Sequence, residues 1–346
     1  LVPLTVAYPS MAKRHTISVI GDGAMGTVCS IMLAENGHNV RLWSAFAEAA
    51  ADIAQRRENM IFLPGHRLPE AIEITADDEL ALAGAELVVS AVPTQYMRTV
   101  WIRLRPYCAE DLPICSVAKG IENGTLLRPT QILNDVLGRL ENAKVAALSG
   151  PSIAPEIARK LPATVVVAGG SQQLAEWIQT LFTRPYFRVY TNPDLVGVEV
   201  AGAAKNVVAI AAGIVDGLGL GDNAKAALIT RGLAELTRLG SALGAMRETF
   251  FGLAGLGDLV TTCISPQGRN RSFGQAIGQG QSMDQALRAT RSVVEGVPTT
   301  VSLVELARHM DVELPIIQAV HRVLFEGVLP SEAVLELMSR PLKAEG

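Results

Sequence analysis

The chain has 346 residues, a length that holds about two domains. Apolar residues make up 49% and charged residues 18%, which supports a sizeable core and excludes wholesale disorder. A formal net charge of -4 argues against non-specific nucleic-acid binding and leaves room only for a local basic pocket.

Cys29, Cys108, Cys115 and Cys263 form no CxxC pair, and the histidines show no HExxH spacing. Neither a metal site nor a disulfide framework is therefore expected, and scattered thiols fit a cytoplasmic protein. No apolar run reaches the roughly 18 residues of a membrane span. The longest, within 200–215, is broken by Lys205, so no integral membrane contact is expected. Residues 1–10 lack the charged region of a signal peptide and read as a disordered extension, with Met11 as the natural start.

Thr16 to Ile20 is a β-branched run followed by GDGAMG at 21–26, a helical pattern to about Asn36, and a second strand at Val40 to Trp43. This order matches the dinucleotide fingerprint in its proper context. Gly21 permits the tight turn, Gly23 lets backbone NH groups approach a pyrophosphate, and Gly26 lets helix and strand pack closely. The alternative is a glycine-rich turn with no ligand. The acid usually expected after the second strand is absent, because Trp43-Ser44-Ala45-Phe46 stands there. An acid would repel a 2'-phosphate, so NADP is not barred at that strand end, and no arginine replaces the acid either.

Further short apolar runs follow at 86–92, 113–118, 145–148, 164–168 and 187–190, with helical stretches near 95–105 and 128–137 between them. Lys119 lies directly after the second of these runs, and Ser149-Gly150-Pro151-Ser152 follows the third. Ligands of open α/β sheets bind at such strand ends. A surface lysine is the alternative for Lys119.

After about Asn192 the strand-like runs stop. Helical segments are predicted at 193–215, 222–243, 270–279, 283–290, 297–309, 315–326 and 331–339, separated by Gly, Pro and Asn. The fold class is α/β: an N-terminal Rossmann-type doubly wound sheet at 11–191, then an all-α C-terminal domain at 192–346.

The helical part contains VAGAAKNVVAIAAGIV at 200–215. Gly202, Ala209 and Ala212 share a helical face with Lys205, so other segments can crowd it. Burial disfavours an ammonium, which makes Lys205 a candidate acid or base. The alternative is a lysine near the helix edge whose head reaches solvent. Asp258 lies in an otherwise apolar glycine-rich run and needs a partner, for which Lys205 is a candidate. Arg269, Asn270 and Arg271 precede a predicted helix, and cations beside free NH groups suit an anion, although a solvated basic turn would look the same.

These pieces resemble the bacterial NAD(P)-dependent glycerol-3-phosphate dehydrogenases. The resemblance rests on GDGAMGT at 21–27, FLPG at 62–65, AKGIE at 118–122, SGPSIAPE at 149–156, the 187–213 stretch, NAKAALITRGLAEL at 223–236, GLAGLGDLVTTC at 252–263, GRNRSFG at 268–274 and VVEG at 293–296. It spans Thr16 to about Leu337 in consistent order, and the joint occurrence is specific where no single motif is. It implies the reversible NAD- or NADP-dependent interconversion of sn-glycerol 3-phosphate and dihydroxyacetone phosphate, supplying glycerol phosphate for phospholipids. It implies Lys205 as the catalytic acid/base, with Lys119 adding positive charge beside the developing alkoxide. Substrate contacts would come from Lys119, Gly150, Ser152, Asp258, Gly268, Arg269 and Asn270. Cofactor contacts would come from Gly21, Gly23, Ala24, Met25, Gly26, Lys119, Ala154, Arg269, Val293 and Glu295. Ala24 and Met25 stand where a serine and an aromatic are more usual, Ala45 where a basic residue is common, and Gly268 where a serine is common.

The expected partners are a small phosphorylated substrate and, in a homodimer, a second copy of the chain. The competing readings are a Rossmann-type 2-keto or hydroxy-acid dehydrogenase, which would favour a carboxylate over a phosphate ester, and a non-catalytic nucleotide-sensing protein, which would have no use for Lys205, Lys119 and Asp258.

Overall fold

The computed structural model describes residues 13–139, 142–290, 293–342 and 344. The expected extension at 1–10 and the start at Met11 lie outside these. By internal packing the chain divides into two units, Leu1–Lys119 with Leu127–Glu199, and Gly120–Leu126 with Val200–Gly346.

The first unit opens with β1 (Thr16–Ile20), α1 (Ala24–Glu35), β2 (Asn39–Trp43), α2 (Ala47–Arg56) and a hairpin of β3 (Glu58–Asn59) with β4 (Leu63–Arg67). It continues through β5 (Ile72–Thr75), α3 (Asp78–Leu82), β6 (Leu87–Ser90), α4 (Thr94–Leu104), β7 (Ile114–Ser116) and α5 (Pro129–Leu137). It ends with β8 (Val145–Ser149), α6 (Ala154–Ala158), β9 (Ala163–Gly169), α7 (Gln172–Phe182) and β10 (Phe187–Asn192). The sheet order is β10-β9-β8-β7-β6-β1-β2-β5. Ile17, Val19, Leu87, Val88 and Val89 are fully shielded, as strands covered on both faces require. Neighbours from β5 to β8 run parallel, and β1 lies between β2 and β6, where the strand order reverses. Dinucleotides bind at that reversal in this architecture.

β9 departs from the simple doubly wound scheme, because it pairs antiparallel with β8 while β10 runs parallel to β9. The link between β8 and β9 holds only the five-residue α6 and returns the chain along β8 from the end where it left.

The second unit takes most of α8 (Leu195–Gly217), then α9 (Gly221–Ala242), α10 (Arg247–Phe251) and a π-helical turn at Leu253–Gly257. After these come α11 (Asp258–Ile264), α12 (Arg269–Gly278), α13 (Met283–Arg288), α14 (Gly296–His309), α15 (Pro315–Phe325) and α16 (Pro330–Met338). The sequence placed the division between domains at 191/192, whereas packing divides the chain inside α8. The first turn of α8 is tied to the sheet unit by Glu199, whose carboxylate accepts hydrogen bonds from Thr130 N at 2.8 Å, from Thr130 Oγ1 at 2.7 Å and from Arg128. The excursion Gly120–Leu126 belongs to the helical unit, where Ser302 Oγ donates to Ile121 O at 2.9 Å and to Asn123.

α8 corrects one expectation. With 23 residues and a mean hydropathy of 1.6 it is long and apolar enough to cross a membrane. That apolar window is wholly buried in the fold, as expected of a helix that is apolar all round. Its small residues admit α12 at backbone distance: a Cβ on Gly213 would fall 2.0 Å from Arg271 O, and one on Gly274 2.0 Å from Ile210 O. This close contact carries the start of α12 to Asn206.

Candidate active site

The glycine turn follows directly from the β1–β2 register. Ile20 pairs with Trp43, and Gly21 N donates to Trp43 O at 3.0 Å. Gly21 holds φ +109°, a conformation side chains rarely adopt, and a Cβ there would lie 2.9 Å from Ala91 O. A Cβ on Gly26 would fall 1.9 Å from Gly21 O, so α1 can approach the strand only without a side chain at this position. Gly23 is different: a Cβ there would meet nothing within 4 Å. It is the N-cap of α1, which carries no side-chain cap and no acid in its first turn. Those NH groups and the open space beside Gly23 fit a pyrophosphate. Ala24 and Met25 form the first turn and pack half-buried against the sheet core.

Asp22 turns its carboxylate toward β2, where Ser44 Oγ donates to Oδ2 at 2.9 Å. Its carbonyl oxygen accepts from Asn59 Nδ2 at 2.6 Å and Thr27 Oγ1 at 3.2 Å, which pins the turn.

Lys119, half-buried at the end of β7, donates from Nζ to Gly150 O at 3.0 Å and to Ser152 Oγ at 3.2 Å. These three expected residues thus come together at the strand ends. Gly150 sits at φ +118°, where a Cβ would be 3.1 Å from Val165 Cα. Ala154 starts α6 and is 8% exposed.

In the helical unit Lys205 is 5% exposed, which disposes of the solvent-seeking alternative. Its Nζ donates to Asp258 Oδ1 at 2.8 Å and to Thr262 Oγ1. Asp258, 2% exposed, is therefore the partner that the sequence required. Its carboxylate offsets the cost of burying the ammonium. Thr262 was not singled out from the sequence, although it lies one helical turn after Asp258 and so on the same face. Its Oγ1 also donates to Asp258 Oδ1 at 3.3 Å.

Asn206, next to Lys205, was also missed. Its Oδ1 accepts from Asn270 Nδ2 at 3.0 Å, and Asn270 Oδ1 accepts from Gly296 N at 2.9 Å. Asn270 thus clamps α8, α12 and the start of α14. Arg269, adjacent in sequence, parts from it: Arg269 is exposed, with Nη1 donating to Val293 O at 3.1 Å. Glu295 is the N-cap of α14. Gly268 is the N-cap of α12, and a Cβ there would be 3.0 Å from Thr262 O. The usual serine would press on that carbonyl, which is a local reason for glycine here.

The three buried thiols, Cys29, Cys115 and Cys263, are not poised to react. Burial pushes the Cys115 and Cys263 thiols up to about 12, and Cys29 still further up. No metal-holding group of His, Cys, Asp or Glu occurs among the described residues.

Comparison with known proteins bears on both units. Residues 16–175 match the profile of the NAD-dependent glycerol-3-phosphate dehydrogenase N-terminus, and residues 194–335 that of its C-terminus. Glycerol-3-phosphate dehydrogenase [NAD(P)+] of Geobacillus thermodenitrificans is 51% identical over 96% of this chain and 96% of its own length. The enzyme of the same name from Citrifermentans bemidjiense is 48% identical over 97% of this chain and 100% of its own. The crystal structure of glycerol-3-phosphate dehydrogenase from Coxiella burnetii superposes with a TM-score of 0.91 at 38% identity, covering 94% of this chain and 99% of that one.

Proposed function

We infer the reaction from one premise: the chain belongs to the NAD-dependent glycerol-3-phosphate dehydrogenase family. It is an NAD(P)-dependent oxidoreductase that interconverts sn-glycerol 3-phosphate and dihydroxyacetone phosphate, and so supplies glycerol 3-phosphate for phospholipid synthesis. The 2-keto or hydroxy-acid dehydrogenase and the nucleotide sensor are disfavoured by near full-length identity of about half to proteins named for this activity.

The observation that carries the chemistry is the buried group of Lys205, Asp258 and Thr262. When bound, the nicotinamide supplies the hydride to C2. Lys205 gives a proton to the C2 carbonyl oxygen in reduction and takes it from the C2 hydroxyl in oxidation. Asp258 and Thr262 hold Nζ in one place, which removes the cost of orienting it in each turnover. Lys119, fixed by Gly150 O and Ser152, places positive charge beside the oxygen as it becomes an alkoxide.

Arg269 binds the substrate phosphate with its forked guanidinium donors, at a helix start whose dipole favours anions. Asn270, buried away from Arg269, fixes Asn206 and the start of α14. Gly268 lets the chain pass close to Thr262; Ala154 serves the cofactor from the sheet unit, and Val293 and Glu295 serve it from the helical unit. Gly21, Gly23, Ala24, Met25 and Gly26 hold the pyrophosphate on the start of α1. A cytoplasmic location belongs to this reading and is supported by the four free cysteines. A homodimer belongs to it too, and light scattering on the purified protein tests that part.

The test of the reaction is a substrate panel. The protein should oxidise NADH or NADPH with dihydroxyacetone phosphate and should leave 2-ketoacids nearly untouched. Turnover of a 2-ketoacid in place of the phosphate ester would overturn the reading.

A further inference from the structure

The acid missing after β2 is supplied from the glycine turn. Strand pairing ends at Ile20 with Trp43, and Ser44, one residue past β2, meets Asp22, two residues past β1. Ser44 Oγ donates to Asp22 Oδ2 at 2.9 Å, and Phe46 N donates to the same hydroxyl at 3.2 Å. The Asp22 carboxylate therefore stands one hydrogen bond from the strand end where an acid on β2 would project toward the adenosine ribose. Ser44 is fully buried and fixes it there, while Asp22 itself is partly exposed.

Among the described residues, Arg103 reaches the same end of β2. Arg103 lies over the Trp43 ring at 5.1 Å and donates from Nη1 to Ala45 O at 3.2 Å. Its charge is matched by Asp78, whose Oδ2 accepts from Nε at 2.7 Å. Asp22 has no cation paired with it among the described residues. Of the two carboxylates bonded at this corner, Asp78 is paired with Arg103 and Asp22 is held by Ser44 alone among the described side chains.

We propose that Asp22 is a specificity-determining residue that makes this enzyme favour NAD(H) over NADP(H). Its carboxylate accepts the ribose 2'-hydroxyl and repels a 2'-phosphate. The proposal rests on the dinucleotide reading above and replaces the sequence expectation that nothing at the β2 end opposes NADP.

The test is binding, not turnover. Isothermal titration measures NADH and NADPH on the parent protein and on Asp22→Asn, which keeps an acceptor for Ser44 and removes the charge. The parent should bind NADH at least about tenfold tighter than NADPH, which corresponds to about 1.4 kcal/mol. Asp22→Asn should narrow that ratio about tenfold, chiefly through tighter NADPH binding. Equal affinities in the parent, or a ratio unchanged by Asp22→Asn, would overturn the proposal. If Asp22→Asn does not fold, the parent alone decides. Its preference should shrink severalfold between about 0.02 and 0.5 M salt, because a partly exposed charge is screened. A preference that does not change with salt would overturn the proposal. Failure here is separable from failure of the reaction: NADH bound without discrimination defeats only the role of Asp22, whereas discrimination without reduction of dihydroxyacetone phosphate defeats only the reaction.

Discussion

Lys205→Met removes an ammonium and leaves the Asp258 carboxylate 2% exposed without it. Taking one partner from a buried ion pair typically costs about 3–5 kcal/mol. Replacing both partners with apolar side chains of similar size is often close to neutral. Lys205→Met should thus lower the unfolding free energy of the helical unit by about 3 kcal/mol or more, and Lys205→Met with Asp258→Leu should regain most of that loss. Turnover should behave differently. Loss of a general acid or base costs about 100- to 10,000-fold, and the double variant should stay as inactive as the single one. Urea unfolding followed by circular dichroism gives the stabilities, and oxidation of NADH with dihydroxyacetone phosphate gives the rates. NADH should still bind, as fluorescence would show, since the glycine turn proposed to hold its pyrophosphate lies in the other unit. A folded Lys205→Met protein with near-parent turnover would refute the role of Lys205. A double variant less stable than the single one would refute the assignment of the pair's energetics.

Gly26→Ala should abolish NADH binding and destabilise the sheet unit, because its Cβ would meet Gly21 O at 1.9 Å; Gly23→Ala should weaken NADH by tenfold or more with stability within about 0.5 kcal/mol of the parent, and calorimetric titration with thermal unfolding separates the two. Arg269→Ala should lower kcat/KM for dihydroxyacetone phosphate by about 30-fold or more, the low end for losing one side of a charged pair, and lower that for unphosphorylated dihydroxyacetone much less; an equal loss on both would mean that the arginine serves the fold or the cofactor. Glu235 accepts from Ile316 N and Ile317 N at the start of α15, yet burial raises its carboxyl from 4.5 to about 7. The folded state then holds the proton more tightly than the unfolded chain, so this contribution is full below about pH 4.5 and lost as pH rises through about 7. Parent minus Glu235→Gln unfolding free energies should therefore fall across that window by on the order of 3 kcal/mol, and a flat difference would show that Glu235 does not titrate there.

Much of the helical half was legible because its periodicity and breakers are strong. The segments at 222–243 and 283–290 emerge as α9 and α13 within two residues. Lys205 could be read because a lone charge among alanines and glycines has few physical explanations, and Asp258 because a carboxylate in an apolar run needs a cation. What escaped was contact across the chain. Asn206 carries no signal of its own in the sequence, and only the backbone approach of α8 to α12 shows that it holds Asn270. Asp22 was passed over because a spacer between two glycines has no fingerprint role; its role appears once the β1–β2 register sets it beside Ser44. β5 was missed because Ile72–Thr75 is short and mixes charge with apolar residues, and the reversal at β9 because hydrophobic runs carry no strand direction. The hydropathy of α8 was underrated because one lysine was taken to interrupt it, whereas the paired Lys205 is accommodated inside.

The central claim is a hydride delivered to C2 of a phosphorylated ketone while Lys205 protonates the oxygen. The most direct measurement uses NADH dideuterated at nicotinamide C4 with dihydroxyacetone phosphate, and reads the product by mass spectrometry and proton NMR. The product should be sn-glycerol 3-phosphate carrying a single deuterium, bonded to C2, and Lys205→Met should form almost none of it. Product without deuterium at C2, or undiminished labelled product from Lys205→Met, would contradict the account.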